Sequence, residues 1–243
     1  IESLEKLPPS WRKKYLEGQY GFTPDGQPYY AGYIEAIHKR ACEWSNDLPL
    51  YCGWDFGYRK PAFVVTQVDR AGRWKIIHEM MGADTTIDKF VDAQVLPLLN
   101  TKFKGANCIH FGDPACHQSN DKSEFTSYQI LQSKGIQITC RQSEYRLRKE
   151  VIEKKINTLV EGFPLLLVNP QCRIINDGLL GGYHYPTRKP DQAHTDKHDQ
   201  PFHDDFYSHL MNAAEYIAVN VFAPIEVPKV KRQPTRQASM DNI

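Results

Sequence analysis

The order of strand-like and helix-like stretches constrains this chain most. Three β-rich runs follow one another with short turns between them. They are Pro49-Leu50-Tyr51-Cys52-Gly53-Trp54-Asp55-Phe56-Gly57, then Ala62-Phe63-Val64-Val65-Thr66-Gln67-Val68-Asp69, then, beyond the turn at Arg70-Ala71-Gly72-Arg73, Trp74-Lys75-Ile76-Ile77-His78-Glu79-Met80. Short turns join antiparallel neighbours, so these runs predict a three-stranded meander. Thr85-Thr86 then caps a helix through about Leu99, with Ile87, Phe90, Val91, Val95 and Leu98 close to helical spacing. A strand at 106–111, a helix at 123–133, a strand at 136–140 and a charged helix at 143–160 follow. A short strand at 164–168, a short helix at 171–180, a polar loop over 181–201 and a last helix at 204–221 complete the pattern. Strands separated by crossover helices lie parallel. The expected fold is therefore α/β: one mixed β-sheet, an antiparallel meander followed by parallel strands, flanked by helices.

At 243 residues and 41% hydrophobic, the chain can bury a full core as one large domain. Residues 1–48 are polar and punctuated by Pro8-Pro9, Gly18, Gly21, Pro24, Gly26 and Pro28, and read as a linker or packing arm. The folded domain is expected over 49–222. Residues 223–243, with Lys229-Val230-Lys231-Arg232, read as a basic tail of disordered composition. The chain opens without Met, as a piece of a longer protein would. Thirty Lys+Arg against 29 Asp+Glu give a net charge of +1, so any polyanion site must be a local patch. No apolar run approaches the roughly 18 residues of a membrane span. Six Cys without a Cys-x-x-Cys pair fit a reducing compartment, and those in apolar runs, Cys52, Cys108 and Cys140, read as small buried hydrophobes without a role.

Three acidic stations stand out: Asp55, Asp113 in Phe111-Gly112-Asp113-Pro114, and Asp204-Asp205 at the head of the last predicted helix. Singly, each has an ordinary explanation, as a strand-end turn or a helix N-terminal acid. Together they matter, because the first two end strands expected to lie side by side. Two strand-end aspartates can share a hard cation, and a second cation about 3.5–4 Å away needs a further ligand. The last helix supplies candidates, since Asp205, His209 and Asn212 stand at i, i+4 and i+7 on one face. The expected metal ligands are thus Asp55, Asp113, Asp205, His209 and Asn212, with Asp55, Asp113, Asp205 and His209 catalytic. The expected cofactors are two divalent cations, Mg2+ or Mn2+.

Arg141, Arg146, Arg148 and Lys149, with Lys154 and Lys155, and Arg188 and Lys189 in the polar loop, are candidates for a local polyanion-binding patch. Interleaved Glu150 and Glu153 equally fit a solvated helix face. Tyr183 and Tyr185 are candidates to stack on bases or to pack in a hairpin. A zinc site among His194, His198, His203 and His209 finds no Cys partner at a usual spacing.

These residues resemble the nuclease domain of the bacteriophage terminase large subunit, a ribonuclease-H-like fold that cuts concatemeric DNA during packaging. Gly53-Trp54-Asp55-Phe56-Gly57 with Pro61-Ala62 is similar to that family's first acidic motif, and Phe111-Gly112-Asp113-Pro114 to its second. Tyr207-Ser208-His209-Leu210-Met211-Asn212-Ala213-Ala214-Glu215-Tyr216 resembles its terminal helix, with Asn212 standing where the family has Asp. The resemblance covers about 30–222. It implies a metal-dependent endonuclease acting on double-stranded DNA, in which Asp205 replaces the missing charge or Asn212 marks a weakened second metal site. No Gly-x-x-x-x-Gly-Lys-Ser/Thr occurs, so the ATPase motor domain that the resemblance implies as a partner is absent from this chain. Further implied partners are the portal protein and the small terminase subunit, with no membrane, in the host cytoplasm during virus assembly. Two alternatives stand beside this reading. One is a transposase or integrase-like strand-transfer enzyme of the same fold using Glu215; the other is a non-catalytic DNA-binding or assembly module.

Overall fold

The computed structural model describes residues 27–118, 125–186, 195, 199–203 and 206–224. The meander is present as β1 (Leu50–Asp55), β2 (Ala62–Val68) and β3 (Trp74–Met81), each antiparallel to the next. β4 (Cys108–Gly112) and β5 (Ile138–Cys140) add in parallel beyond β1. Three shorter strands, β6 (Leu159–Val160), β7 (Phe163–Pro164) and β8 (Leu166–Val168), follow. β8 closes the opposite edge, parallel to β3, which gives a six-stranded sheet in the order β5-β4-β1-β2-β3-β8. β6 and β7 form a separate hairpin turned at Glu161 and Gly162, both at positive φ.

A single turn of helix, α1 (Glu35–His38), precedes the sheet. α2 starts at Ile87–Phe90 behind a Thr86 cap, widens to a π-turn at Val91–Val95 and continues as Leu96–Thr101. Pro97 explains the widening. It has no N–H to donate and its ring crowds the carbonyl one turn back, so Leu96 N–H bonds Val91 instead. α3 (Ser127–Ser133) opens with a capping box between Thr126 and Gln129. α4 (Tyr145–Asn157) is shorter than the helix expected over 143–160, because Leu159 and Val160 pair with β7. α5 (Arg173–Asp177) runs into a second π-turn, Gly178–Gly182.

The last helix, α6 (Ser208–Phe222), begins with Tyr207 as its N-cap, not at residue 204 as its sequence suggests. Asp204 and Asp205 lie outside the described residues, as do Arg188, Lys189, His194, His198 and the tail from residue 225. No helix among the described residues is long and apolar enough to cross a membrane.

Strand alternation divides the core into two. Leu50, Cys52, Trp54, Phe63, Val65 and Ile77 face α2 and α3, whereas Ala62, Val64, Trp74 and Ile76 face the layer of α4, α5 and α6. The arm contributes to the second layer, where Tyr29, Tyr30 and Tyr33 are buried. On β1, Tyr51, Gly53 and Asp55 share the α6 face. Gly53 is what lets α6 lie so close, since a Cβ there would collide with the Ala213 carbonyl oxygen.

Candidate metal centre at the ends of two parallel strands

The register of β1 against β4 brings the two aspartates together. Trp54 pairs with Gly112 in parallel, so the next residue on each strand, Asp55 and Asp113, leaves the sheet at the same edge. Ligand crevices of open α/β sheets form at such carboxyl ends. Here both aspartates line a cleft of about 240 Å3 with Phe56, Gly57, Ala115, Gln118 and Ser127.

α6 crosses this edge with its N-terminal turns. Ala213 sits over Gly53, which places Asn212 and His209 over Asp55 and Gly57. His209 Nδ1 is 2.9 Å from Asp55 Oδ1, which also accepts the Gly57 N–H at 2.9 Å. Asn212 donates its amide N–H to Asp55 Oδ2 at 3.2 Å. Gly57 is required for the imidazole, since a Cβ there would overlap the His209 ring. The Asp55 carboxylate beside Nδ1 fixes the orientation of the His209 ring.

Asp113 is held by its own turn, its Oδ1 accepting the Ala115 N–H at 2.8 Å as the cap of the 3₁₀ turn Pro114–His117. Tyr216, one turn beyond Asn212 on α6, hydrogen-bonds Asp113. Burial and the Asp113 and Asp55 carboxylates push its phenol above the usual range, against the opposing pull of Arg148. Tyr145 hydroxyl and His203 Nε2 lie 2.8 Å apart, and burial raises the Tyr145 phenol as well.

The donor set fits a hard cation. Two carboxylates share one cleft, and Asp55 Oδ2 accepts only one of these bonds while a carboxylate oxygen has room for two. Asn212, expected as a ligand, turns its amide nitrogen to Asp55 in this structure. Its oxygen accepts the Tyr183 hydroxyl at 3.4 Å, and its nitrogen donates to Asp55. Asp205, expected beside His209, lies outside the described residues.

The basic candidates divide. Arg148 is corrected: it is 7% exposed, donates to the Ser143 hydroxyl and carbonyl, stacks on Tyr145 and Tyr216, and pairs with Glu215 at 3.5 Å. A guanidinium so enclosed cannot reach a phosphate. Arg141 donates to the carbonyls of Val219 and Pro224, fastening the end of α6. Arg146 is exposed beside Glu150, and Lys149 pairs with Glu153. Arg141 and Arg146 line one open groove of about 930 Å3, together with Glu144 and Glu150. Tyr183 is buried against Tyr29 and Tyr30, so it packs in the core and offers no face to a base. Glu215 is also buried, holding the Tyr30 hydroxyl at 2.7 Å.

Sequence reasoning missed Gln118, Ser127 and Tyr216. Tyr216 alone carried a signal, its helical spacing from His209 and Asn212.

No protein-family model matches the chain, and no curated protein matches it. Solved structures do. The chain is similar to the large terminase of a thermophilic bacteriophage, with a TM-score of 0.61 and 12% identity over 90% of this chain and 51% of that one. It is similar to the P22 large terminase nuclease domain, with a TM-score of 0.57 and 12% identity over 80% of this chain and 92% of that one. The chain thus spans about half the length of the thermophilic phage protein. It shares its fold with these two structures.

Proposed function

We propose that this chain is the metal-dependent endonuclease domain of a viral DNA-packaging terminase, cutting concatemeric double-stranded DNA. One observation carries the reading: the β1–β4 register sets Asp55 and Asp113 side by side in a cleft. The likeness to the two phage large terminases supports it. Two divalent cations, Mg2+ or Mn2+, would supply a water of lowered pKa and neutralise charge on the leaving oxygen. Asp55 and Asp113 hold that site, His209 orients Asp55 through Nδ1, and Asp205 supplies the carboxylate that Asn212 does not.

The N-terminal end of α6 faces the cleft, a setting in which backbone N–H groups and the helix dipole favour a phosphate. Arg141, Arg146, Lys149, Arg188 and Lys189 hold the DNA backbone and set position, not sequence. The ATPase motor, the portal and the small terminase subunit are the partners of such a domain, in the host cytoplasm.

Supercoiled plasmid cleavage at low salt tests this. Mn2+ or Mg2+ supports nicking and linearisation, and EDTA stops it. Asp55→Asn and Asp113→Asn each lower the rate at least about a hundredfold, roughly 2.7 kcal/mol of transition-state stabilisation. Asp205→Asn lowers it comparably. Plasmid bound but never cut, with any metal, would make the chain a binding module instead.

A further inference from the structure

A cluster of sulfur and nitrogen donors stands at the far end of the turn that Asp113 caps. Cys116 and His117 end the 3₁₀ turn that Asp113 begins, and Cys140 ends β5, where Gly112 is its neighbour in register. One ligand atom from each of Cys116, His117 and Cys140 lies within 4.8 Å of the others. We propose that these three side chains form a soft-metal site, taking Zn2+, independent of the hard-cation cleft at Asp55 and Asp113.

Two thiols and one imidazole are the ligands zinc prefers, whereas Mg2+ and Mn2+ take oxygen. The site also has a way in. Cys116 is buried and Cys140 half-buried, but His117 is exposed at the surface, its ring tilted against Tyr128. The sulfurs stand 2.7 Å apart. Bonds of about 2.3 Å in a tetrahedral centre need them roughly 3.8 Å apart, so binding opens the pair by about 1 Å. Two thiol protons leave as the ion enters, and a water takes the fourth position. The turn that is braced is the one bearing Asp113, because Cys116 N–H bonds the Asp113 carbonyl at 2.9 Å.

Cys52, Cys108 and His110 also stand close together, but they do not compete. Trp54 Nε1–H donates to His110 Nδ1 at 3.1 Å, and burial keeps that imidazole neutral, its pKa lowered to about 4. Its proton therefore sits on Nε2, and neither nitrogen has a lone pair for a metal.

Co2+ titration of the reduced, metal-free chain tests the proposal. One Co2+ binds per chain with a thiolate charge-transfer band and tetrahedral visible bands, and equimolar Zn2+ displaces it. Both signals vanish in Cys116→Ser/Cys140→Ser and persist unchanged in Asp55→Asn. His117→Ala, at an exposed position that leaves the fold intact, keeps the charge-transfer band and shifts the visible ones. Absence of a thiolate band in the native chain, or its survival in the double serine variant, overturns the proposal. So does a Cys116–Cys140 pair that closes to a disulfide on oxidation and takes no Co2+ once reduced.

Discussion

Asn212 decides how much charge the cleft holds. Its amide nitrogen faces Asp55 Oδ2 and its oxygen is taken by Tyr183. Asn212→Asp replaces that donor with a carboxylate facing another at close range, an arrangement that needs a cation between them. The variant is expected to bind Mn2+ at least about tenfold more tightly by calorimetry, about 1.4 kcal/mol, and to cleave plasmid faster. His110 makes a separate prediction. Burial depresses its pKa from 6.5 to about 4, so below pH 6.5 the unfolded chain takes up a proton that the folded chain refuses. Stability is therefore lost as pH falls from 6.5 and is fully lost near pH 4, by about 3 kcal/mol. Urea unfolding at pH 7 and pH 4.5 should show a smaller loss for His110→Asn, which keeps an acceptor for Trp54. An equal loss in both proteins contradicts this. The aspartates were legible in the sequence because each ends an apolar strand. The orientation of Asn212 was not, because it is set by Tyr183, 29 positions away in the chain.

At the scale of elements, α6 positions the site, and its attachment depends on a buried pair. Arg148 on α4 meets Glu215 on α6 inside the core. Burial pushes the Glu215 carboxyl above its usual range, while Arg148, Tyr30 and Tyr183 pull it down. Removing one partner strands the other, so Arg148→Ala is expected to cost about 3–5 kcal/mol in chemical unfolding. Arg148→Met/Glu215→Met should recover most of that. A phosphate-binding Arg148 would instead lower DNA affinity and leave stability unchanged. The meander, α2 and the parallel strands could be read from apolar spacing. The helix ends could not, because pairing elsewhere sets them: β7 takes up Leu159 and Val160. The mixed charges of 146–155 likewise concealed that Arg148 points inward while Arg146 points out.

The described residues form a six-stranded mixed sheet between two helical layers, with a cleft where β1 and β4 end together. The element order alone predicted that sheet, since a meander followed by crossovers leaves few topologies. It did not predict that β8 returns to the far edge, or that Tyr29, Tyr30 and Tyr33 of the arm complete the core under α4 and α6. The cysteine cluster was also hidden, because Cys140 reaches Cys116 and His117 only through the β4–β5 pairing. The most direct measurement is anomalous scattering from a crystal of the chain soaked in Mn2+. A manganese peak within coordinating distance of both Asp55 and Asp113, lost in Asp55→Asn, is the predicted result. Full manganese density elsewhere and none between those carboxylates would contradict the metal centre on which the nuclease assignment rests.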